Sequence, residues 1–319
     1  MAVKQELLKL LESSKGIYLS GEKIAESLGV SRAAVWKAIN SLKSEGYEIE
    51  SVTSRGYMLS AESDMLSEEG IKLHLKHEIP LHYYHETDST NKRCIALALE
   101  DAAHGTCAVA DKQTAGRGRL GRSFYSPSST GIYLSLVLHP AFDISKAVLI
   151  TVAASVAVAR AIEKVCKVTP EIKWVNDIYI DGKKVCGILT EAVTDFESGQ
   201  IKAVVPGIGI NCSTTEFPEE IRDVAGCIPG SFSRNELAAA VIDELLDIAD
   251  NIEEREFIEY YRSHSLIIGK DINILKAGKE PVPAHAEGID ENGGLIVSYA
   301  DGSGETITTG EVSIRIREK

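Results

Sequence analysis

No two cysteines of this chain lie close enough to form a C-x-x-C pair: Cys94, Cys107, Cys166, Cys186, Cys212 and Cys227 are 13, 59, 20, 26 and 15 positions apart. That spacing argues against a zinc site of the ordinary kind. No basic segment followed by an apolar run opens the sequence, so the six cysteines read as buried or free thiols in a reducing compartment, and the cytoplasm is the expected location. Long hydrophobic runs are also missing. The most apolar stretch, Ala147 to Ala159, is interrupted by Thr151 and Ser155, and it falls short of the about 20 residues that span a bilayer. It reads as a buried core helix. Internal repeats and low-complexity tracts are absent, and positive charge is in deficit, with 34 Lys+Arg against 47 Asp+Glu and a net charge of −13. That balance argues against coating nucleic acid or membrane through overall charge. The 319 residues, 44% hydrophobic and 25% charged, exclude disordered, collagen-like and disulfide-scaffold classes and allow two or three domains.

The deficit is unevenly spread. Residues 1–65 hold eight Lys/Arg and nine Asp/Glu, so the acid belongs to the remainder. Val3, Leu7, Leu8, Leu10 and Leu11 follow helical spacing, and Ile24, Ala25 and Leu28 mark a second short helix. Gly29 is a turn, and Ser31 is the N-cap of a third helix carrying Ala34, Val35, Ala38, Ile39 and Leu42 on one face. This is the helix-turn-helix layout, and the alternating residues Tyr47 to Leu59, turning at Ser54-Arg55-Gly56, supply a wing. Ser31, Arg32, Lys37, Asn40 and Lys43 on the third helix, with Arg55 on the wing, suit contacts to DNA in and beside the major groove. A helical hairpin packed on another protein is the alternative.

Residues 66–270 alternate strand-like runs with helical patterns at Asn91 to Asp101, Ala147 to Val165 and Arg234 to about Arg262, the last opened by a Ser233/Glu236 capping box. Residues 271–319 show only short alternating runs between turn signals, as in a small β-barrel. The fold class expected is α+β: a winged helix-turn-helix over 1–65, an α/β body with a mixed sheet over 66–270, and an SH3-like barrel over 271–319.

Four segments carry chemistry. Asp111 to Arg122 packs Gly116, Gly118 and Gly121 with Lys112, Arg117, Arg119 and Arg122, a site for an anion approached closely by backbone. It is neither a P-loop nor a dinucleotide fingerprint. Lys173-Trp-Val-Asn176-Asp177 leads through an Asp181-Gly182 hairpin turn to Lys184, bringing two ammonium groups, an amide and a carboxylate together. Such an aspartate could hold Mg²⁺ or balance charge. Gly207-Ile-Gly-Ile-Asn211 places glycine in a strand where something comes close, and Thr87 to Asn91 is a polar turn ahead of a helix.

In this order, Asp88-Ser-Thr-Asn91, Gln113-Thr-Ala-Gly-Arg-Gly-Arg119, Tyr133-Leu-Ser135, Lys173 to Asp177, Lys184-Val-Cys-Gly-Ile-Leu189 and Gly207 to Asn211 resemble the bifunctional biotin–protein ligase and biotin operon repressor family, over nearly the whole chain. The resemblance implies a two-step reaction: biotin and ATP give biotinyl-5′-AMP and pyrophosphate, and a lysine of a biotin carboxyl carrier protein displaces AMP. It also implies that Ser89, Thr90, Asn91, Gln113, Gly116, Arg117, Gly118, Arg119, Tyr133, Lys184 and Gly187 bind biotin. Arg117, Arg119, Arg122, Phe124, Lys173, Asn176, Lys184 and Asn211 would bind ATP and the adenylate, with Lys184, Arg119 and Asp177 catalytic. Mg²⁺ accompanies ATP, no resident metal is expected, and biotinyl-AMP favours a homodimer that binds operator DNA. Two departures stand out: Val175 where the family usually has Pro, and Phe124 where a Trp is common. Arg315 matches a C-terminal family arginine loosely. A biotin-sensing repressor without ligase activity and a lipoate-type ligase are the competing readings.

Overall fold

A computed structural model describes residues 2–139, 147–194, 200–276, 280–308 and 312–316. Two compact units divide the chain, Met1–Lys76 with Ser233–Ala239, and His77–Phe232 with Ala240–Lys319.

In the first unit the apolar spacing yields α1 (Ala2–Glu12), α2 (Gly21–Leu28) and α3 (Arg32–Ser44). Serine hydroxyls begin the latter two: Ser20 Oγ accepts from Lys23 N at 3.1 Å and Ser31 Oγ from Ala34 N at 3.2 Å. Gly29, at φ +63°, ends α2 in the left-handed conformation. Leu7, Leu11, Ile24, Val35, Ile39 and Leu42 close one core with Ile49 and Leu59 of the hairpin β1 (Ile49–Val52) and β2 (Gly56–Leu59). Truncating any of these leucines or isoleucines to Ala would cost about 2–5 kcal/mol. The hairpin is tied down because Leu19 exchanges backbone hydrogen bonds with Tyr57, and a Cβ at Gly56 would fall 2.0 Å from Leu19 O. A short helix, α4 (Glu68–Lys72), is capped by Ser67. The start of α7 (Arg234–Asp250) joins this unit: Arg234 Nε lies 2.9 Å from Asp64 Oδ2, and Ser233 Oγ accepts from Glu236 N as the capping box requires.

The second unit is built on a seven-stranded mixed sheet. Its strands are β3 (Leu81–Thr87), β4 (Cys107–Gln113), β5 (Gly131–Leu136), β6 (Glu171–Lys173), β7 (Asp177–Ile180), β8 (Lys183–Thr194) and β9 (Ile201–Asn211), in the order β3-β4-β5-β9-β8-β7-β6. The β3 and β4 pair is parallel and all others are antiparallel. Helix α5 (Thr90–Leu99) follows β3, and α6 (Ala147–Cys166), buried almost all round, accounts for the most apolar run of the sequence. Asp181 and Gly182 both have positive φ, +49° and +74°, as a two-residue hairpin turn needs. No described helix is long and apolar enough to cross a membrane. All six cysteines are free thiols, four of them buried.

One expectation is corrected. The pattern from Arg234 to Arg262 is not one helix, because α7 ends at Asp250, a 3-10 turn occupies Ile252–Glu254, and α8 (Glu256–Ser263) starts after Arg255 at φ +61°. The left-handed residue redirects the chain, and its guanidinium folds back onto Ile252 O and Glu253. The C-terminal part is a five-stranded antiparallel sheet, β10 (Asp271–Lys276), β11 (Val282–Ile289), β12 (Leu295–Ser298), β13 (Gly304–Ile307) and β14 (Val312–Ile316), ordered β13-β12-β11-β10-β14. Arg315 stands opposite Asn273 in the β10/β14 register. Trp174 Nε1 donates to Gly293 O at 3.0 Å and ties this sheet to the larger one.

Candidate active site and DNA-facing helix

One line of register partners crosses five strands of the large sheet: Tyr133 opposite Gly209, Gly209 opposite Gly187, Gly187 opposite Asp177, and Asp177 opposite Lys173. Partners in register share a face of the sheet. Two adjoining glycines therefore leave a trough between an aromatic residue and a charged pair. The Phe124 ring lies over it, so that a Cβ on Gly209 would meet Phe124 Cε1 at 2.4 Å and one on Gly187 would meet Lys184 Nζ at 3.2 Å.

Beside the trough is a polar network. Ser89 is the N-cap residue of α5, yet its side chain makes no capping hydrogen bond; Asp88 Oδ1 accepts from Ser89 N instead, at 2.9 Å. The Gln113 carbonyl accepts from Thr90 N at 2.9 Å and Thr90 Oγ1 at 3.2 Å, while Gln113 Nε2 donates to Ser126 Oγ at 3.1 Å. Ser135 Oγ donates to Asn91 Oδ1 at 2.7 Å, and the Asn91 amide donates to Leu189 O at 3.0 Å and Glu191 Oε2 at 2.8 Å. Glu191 also holds Arg117 Nη2 at 2.6 Å. Of these, Ser89, Thr90, Asn91, Gln113 and Arg117 line a narrow cleft of about 20 Å³ together with Phe124 and Gly187.

It adjoins a cavity of about 490 Å³, within the range usual for small-molecule sites. Arg117, Gly118, Arg119, Arg122, Phe124, Lys173, Asn176, Asp177, Lys184, Gly187 and Asn211 line it. Lys184 Nζ pairs with Asp177 Oδ1 at 2.6 Å. Arg119 Nη1 donates to Asn176 Oδ1 at 2.7 Å, and burial pulls this guanidinium below its ordinary value while Asp177 offsets the pull. Asn211 Nδ2 donates to Gly226 O at 3.0 Å. Leu120 holds φ +58°, which a branched side chain seldom adopts, and leaves 51% of its surface exposed at the mouth. Gly116 and Tyr133 line neither space. A Cβ on Gly116 would meet Phe124 O at 2.5 Å, and buried Tyr133 donates to Pro127 O at 2.9 Å beneath the Phe124 ring, so both position the loop.

The residues expected to meet DNA stand in the other unit. Ser31 caps α3; Arg32, Lys37, Asn40 and Lys43 are exposed along it, and exposed Arg55 lies over the Tyr18 ring at 5.2 Å.

Three groups were missed from sequence. Glu191 shares a face of β8 with Gly187 and Leu189 at alternate positions, a signal that was there to read. Phe217, Ile221 and Val224 form an apolar wall of the larger cavity without any periodic pattern. Trp36, on α3, is 61% exposed. Among the described residues no group of three or more His, Cys, Asp or Glu could hold a metal ion.

A glycine-floored cationic cleft on a mixed sheet, joined in one chain to a helix-turn-helix unit, defines a ligase of the biotin/lipoate type with a DNA-binding head. The biotin/lipoate A/B protein ligase family model matches residues 83–211, an HTH domain model 3–58, and the biotin protein ligase C-terminal domain model 267–315. Over 313 residues the chain is 36% identical to the bifunctional ligase/repressor BirA of Bacillus subtilis, covering 94% of this chain and 95% of that one. It is 28% identical over 331 residues to the protein of the same name from Escherichia coli, covering 99% and 98%. The biotin protein ligase of Aquifex aeolicus, solved in complex with biotin and ATP, superposes with a TM-score of 0.62 at 30% identity, covering 75% of this chain and 99% of that one. The chain belongs to the bifunctional biotin–protein ligase/repressor family.

Proposed function

We propose that the cleft joins the carboxylate of biotin to the α-phosphate of ATP, forming biotinyl-5′-AMP and releasing pyrophosphate. A lysine of a biotin carboxyl carrier protein then attacks the mixed anhydride and AMP leaves. One observation carries this reading: the Lys184 ammonium stands at Gly187, where the narrow polar cleft meets the cationic cavity. Two anions have to meet for adenylation, and fixed cations at the point where charge builds lower that barrier.

In this reading Ser89, Thr90, Asn91 and Gln113 face the ureido ring, and Gly116, Gly118, Tyr133 and Gly187 shape the space around it. Arg117, Arg119, Arg122 and Lys173 neutralise phosphate and carboxylate, Phe124 covers the adenylate, Asn176 holds Arg119, and Asn211 faces the adenine. Lys184 exchanges Asp177 for the incoming anion, which frees the Asp177 carboxylate to receive the ammonium of the acceptor lysine. Mg²⁺ comes with ATP, held mainly by phosphate oxygens, with Asp177 the carboxylate beside them. The catalytic part spans 66–270, with 271–319 beside it, and 1–65 binds operator DNA as part of a homodimer promoted by biotinyl-5′-AMP, in the cytoplasm.

Incorporation of labelled biotin into a carrier fragment is expected to need ATP, release pyrophosphate and disappear in Lys184→Ala. Normal turnover in that variant would refute the role of Lys184. Lipoate in place of biotin should be incorporated poorly or not at all.

A further inference from the structure

Trp36 keeps 61% of its surface in water, while Val35, Ala38, Ile39 and Leu42 of the same helix are buried. Tryptophan combines a large apolar surface with an N–H donor, which suits it to an interface with a partner that offers both kinds of contact. Residues four positions away share its stripe on the helix, and here those are Arg32 and Asn40, both exposed. Exposed Lys37 and Lys43 flank the stripe. The helix itself carries no acid, and Glu45 just beyond its end is paired with Lys4 at 2.8 Å. The face is therefore apolar at its centre and cationic around it.

A polyanion with an apolar spot among hydrogen-bonding edges answers that description. In the major groove the C5-methyl of thymine is the apolar group, and the adenine edge is the one a side-chain amide pairs with. One helical turn advances about 5.4 Å and one base pair about 3.4 Å, so Trp36 and Asn40 address the same or neighbouring pairs. We infer that Trp36 is a specificity-determining residue that covers a thymine methyl, next to an adenine read by Asn40. The inference rests on the DNA-binding reading and adds what base it selects.

The test uses the full-length chain with biotin and ATP. Duplexes enriched from a random library define the site, and each thymine in it is then replaced by uracil, which removes only the methyl group. For the unaltered chain at least one replacement should weaken binding roughly fivefold to tenfold, the scale of one lost apolar base contact. Trp36→Ala should bind the thymine duplex weaker by a similar factor and be indifferent to that same replacement, with an unchanged unfolding midpoint. Trp36→Phe should restore part of the discrimination. Arg32→Ala should weaken all duplexes alike. Binding of Trp36→Ala at the original strength, or a uracil penalty that persists in it, would overturn the inference. A library that yields no enriched duplex would overturn the DNA-binding reading itself, and the inference with it.

Discussion

Arg117 and Glu191 meet at 2.6 Å, and the carboxylate oxygen they share also accepts from the Asn91 amide at 2.8 Å. Glu191 thus links the Gly/Arg loop to the polar cleft on the sheet. Both partners of the ion pair are partly exposed, so its value lies in orientation more than stability. Glu191→Gln keeps the shape and loses the charge. Its KM for biotin should rise about tenfold with kcat little changed, and steady-state kinetics at saturating ATP would show it. An unchanged KM would mean that the loop is oriented by other contacts.

Asp177→Asn removes the charge that holds Lys184 at 2.6 Å without removing a hydrogen-bonding atom. Biotin binding measured by calorimetry should stay near that of the parent. Single-turnover transfer to the carrier fragment should fall about 100-fold, since a charge aimed at the reacting groups is lost.

Gly207→Ala tests the cleft sterically. A Cβ there would lie 1.6 Å from Asn91 Oδ1, so the amide has to leave its bonds to Ser135, Leu189 and Glu191. Biotin binding should be lost while far-ultraviolet circular dichroism is unchanged, and unfolding should come about 1–3 kcal/mol more easily.

Tyr261 is fully buried in α8 with no hydrogen-bond partner for its hydroxyl, and burial raises its ionisation far above the ordinary value. An unsatisfied hydroxyl in a dry core is a cost. Tyr261→Phe is expected to stabilise the protein by about 1 kcal/mol in denaturant titrations. A loss of stability would show that the hydroxyl is satisfied after all.

Glu12 gives the first unit a pH dependence. Its side chain is only 4% exposed, Oε1 has no partner, and burial raises its pKa above the ordinary value despite Lys15 at 2.9 Å. The folded state then holds the proton more tightly than the unfolded chain. Its contribution to stability is present at acid pH and is lost as pH rises from the unfolded value through the raised folded one. Glu12→Gln should be about 1 kcal/mol more stable than the parent at pH 7, and the advantage should vanish toward pH 4.

Much of this was legible because it is local. Ser31 caps, Gly29 turns and the Asp181-Gly182 hairpin are decided within a few residues, and the Gly/Arg loop announces an anion by composition alone. What the sequence leaves open depends on register. That Gly187 and Gly209 stand side by side, with Tyr133 and Asp177 beyond them, follows from pairings between residues up to 76 positions apart. The interruption at Arg255 was hidden because apolar spacing continues through Ile252, Phe257 and Ile258 while the backbone does not.

The chain has two tryptophans, Trp36 in the helix-turn-helix unit at 61% exposure and Trp174 in the ligase unit at 4%. An indole in water emits at longer wavelength than one packed in a core. Native fluorescence therefore reports each half at its own colour, and a soluble quencher will dim the first long before it reaches the second. Occupation of the head can thus be followed in the longer-wavelength component, with no label attached.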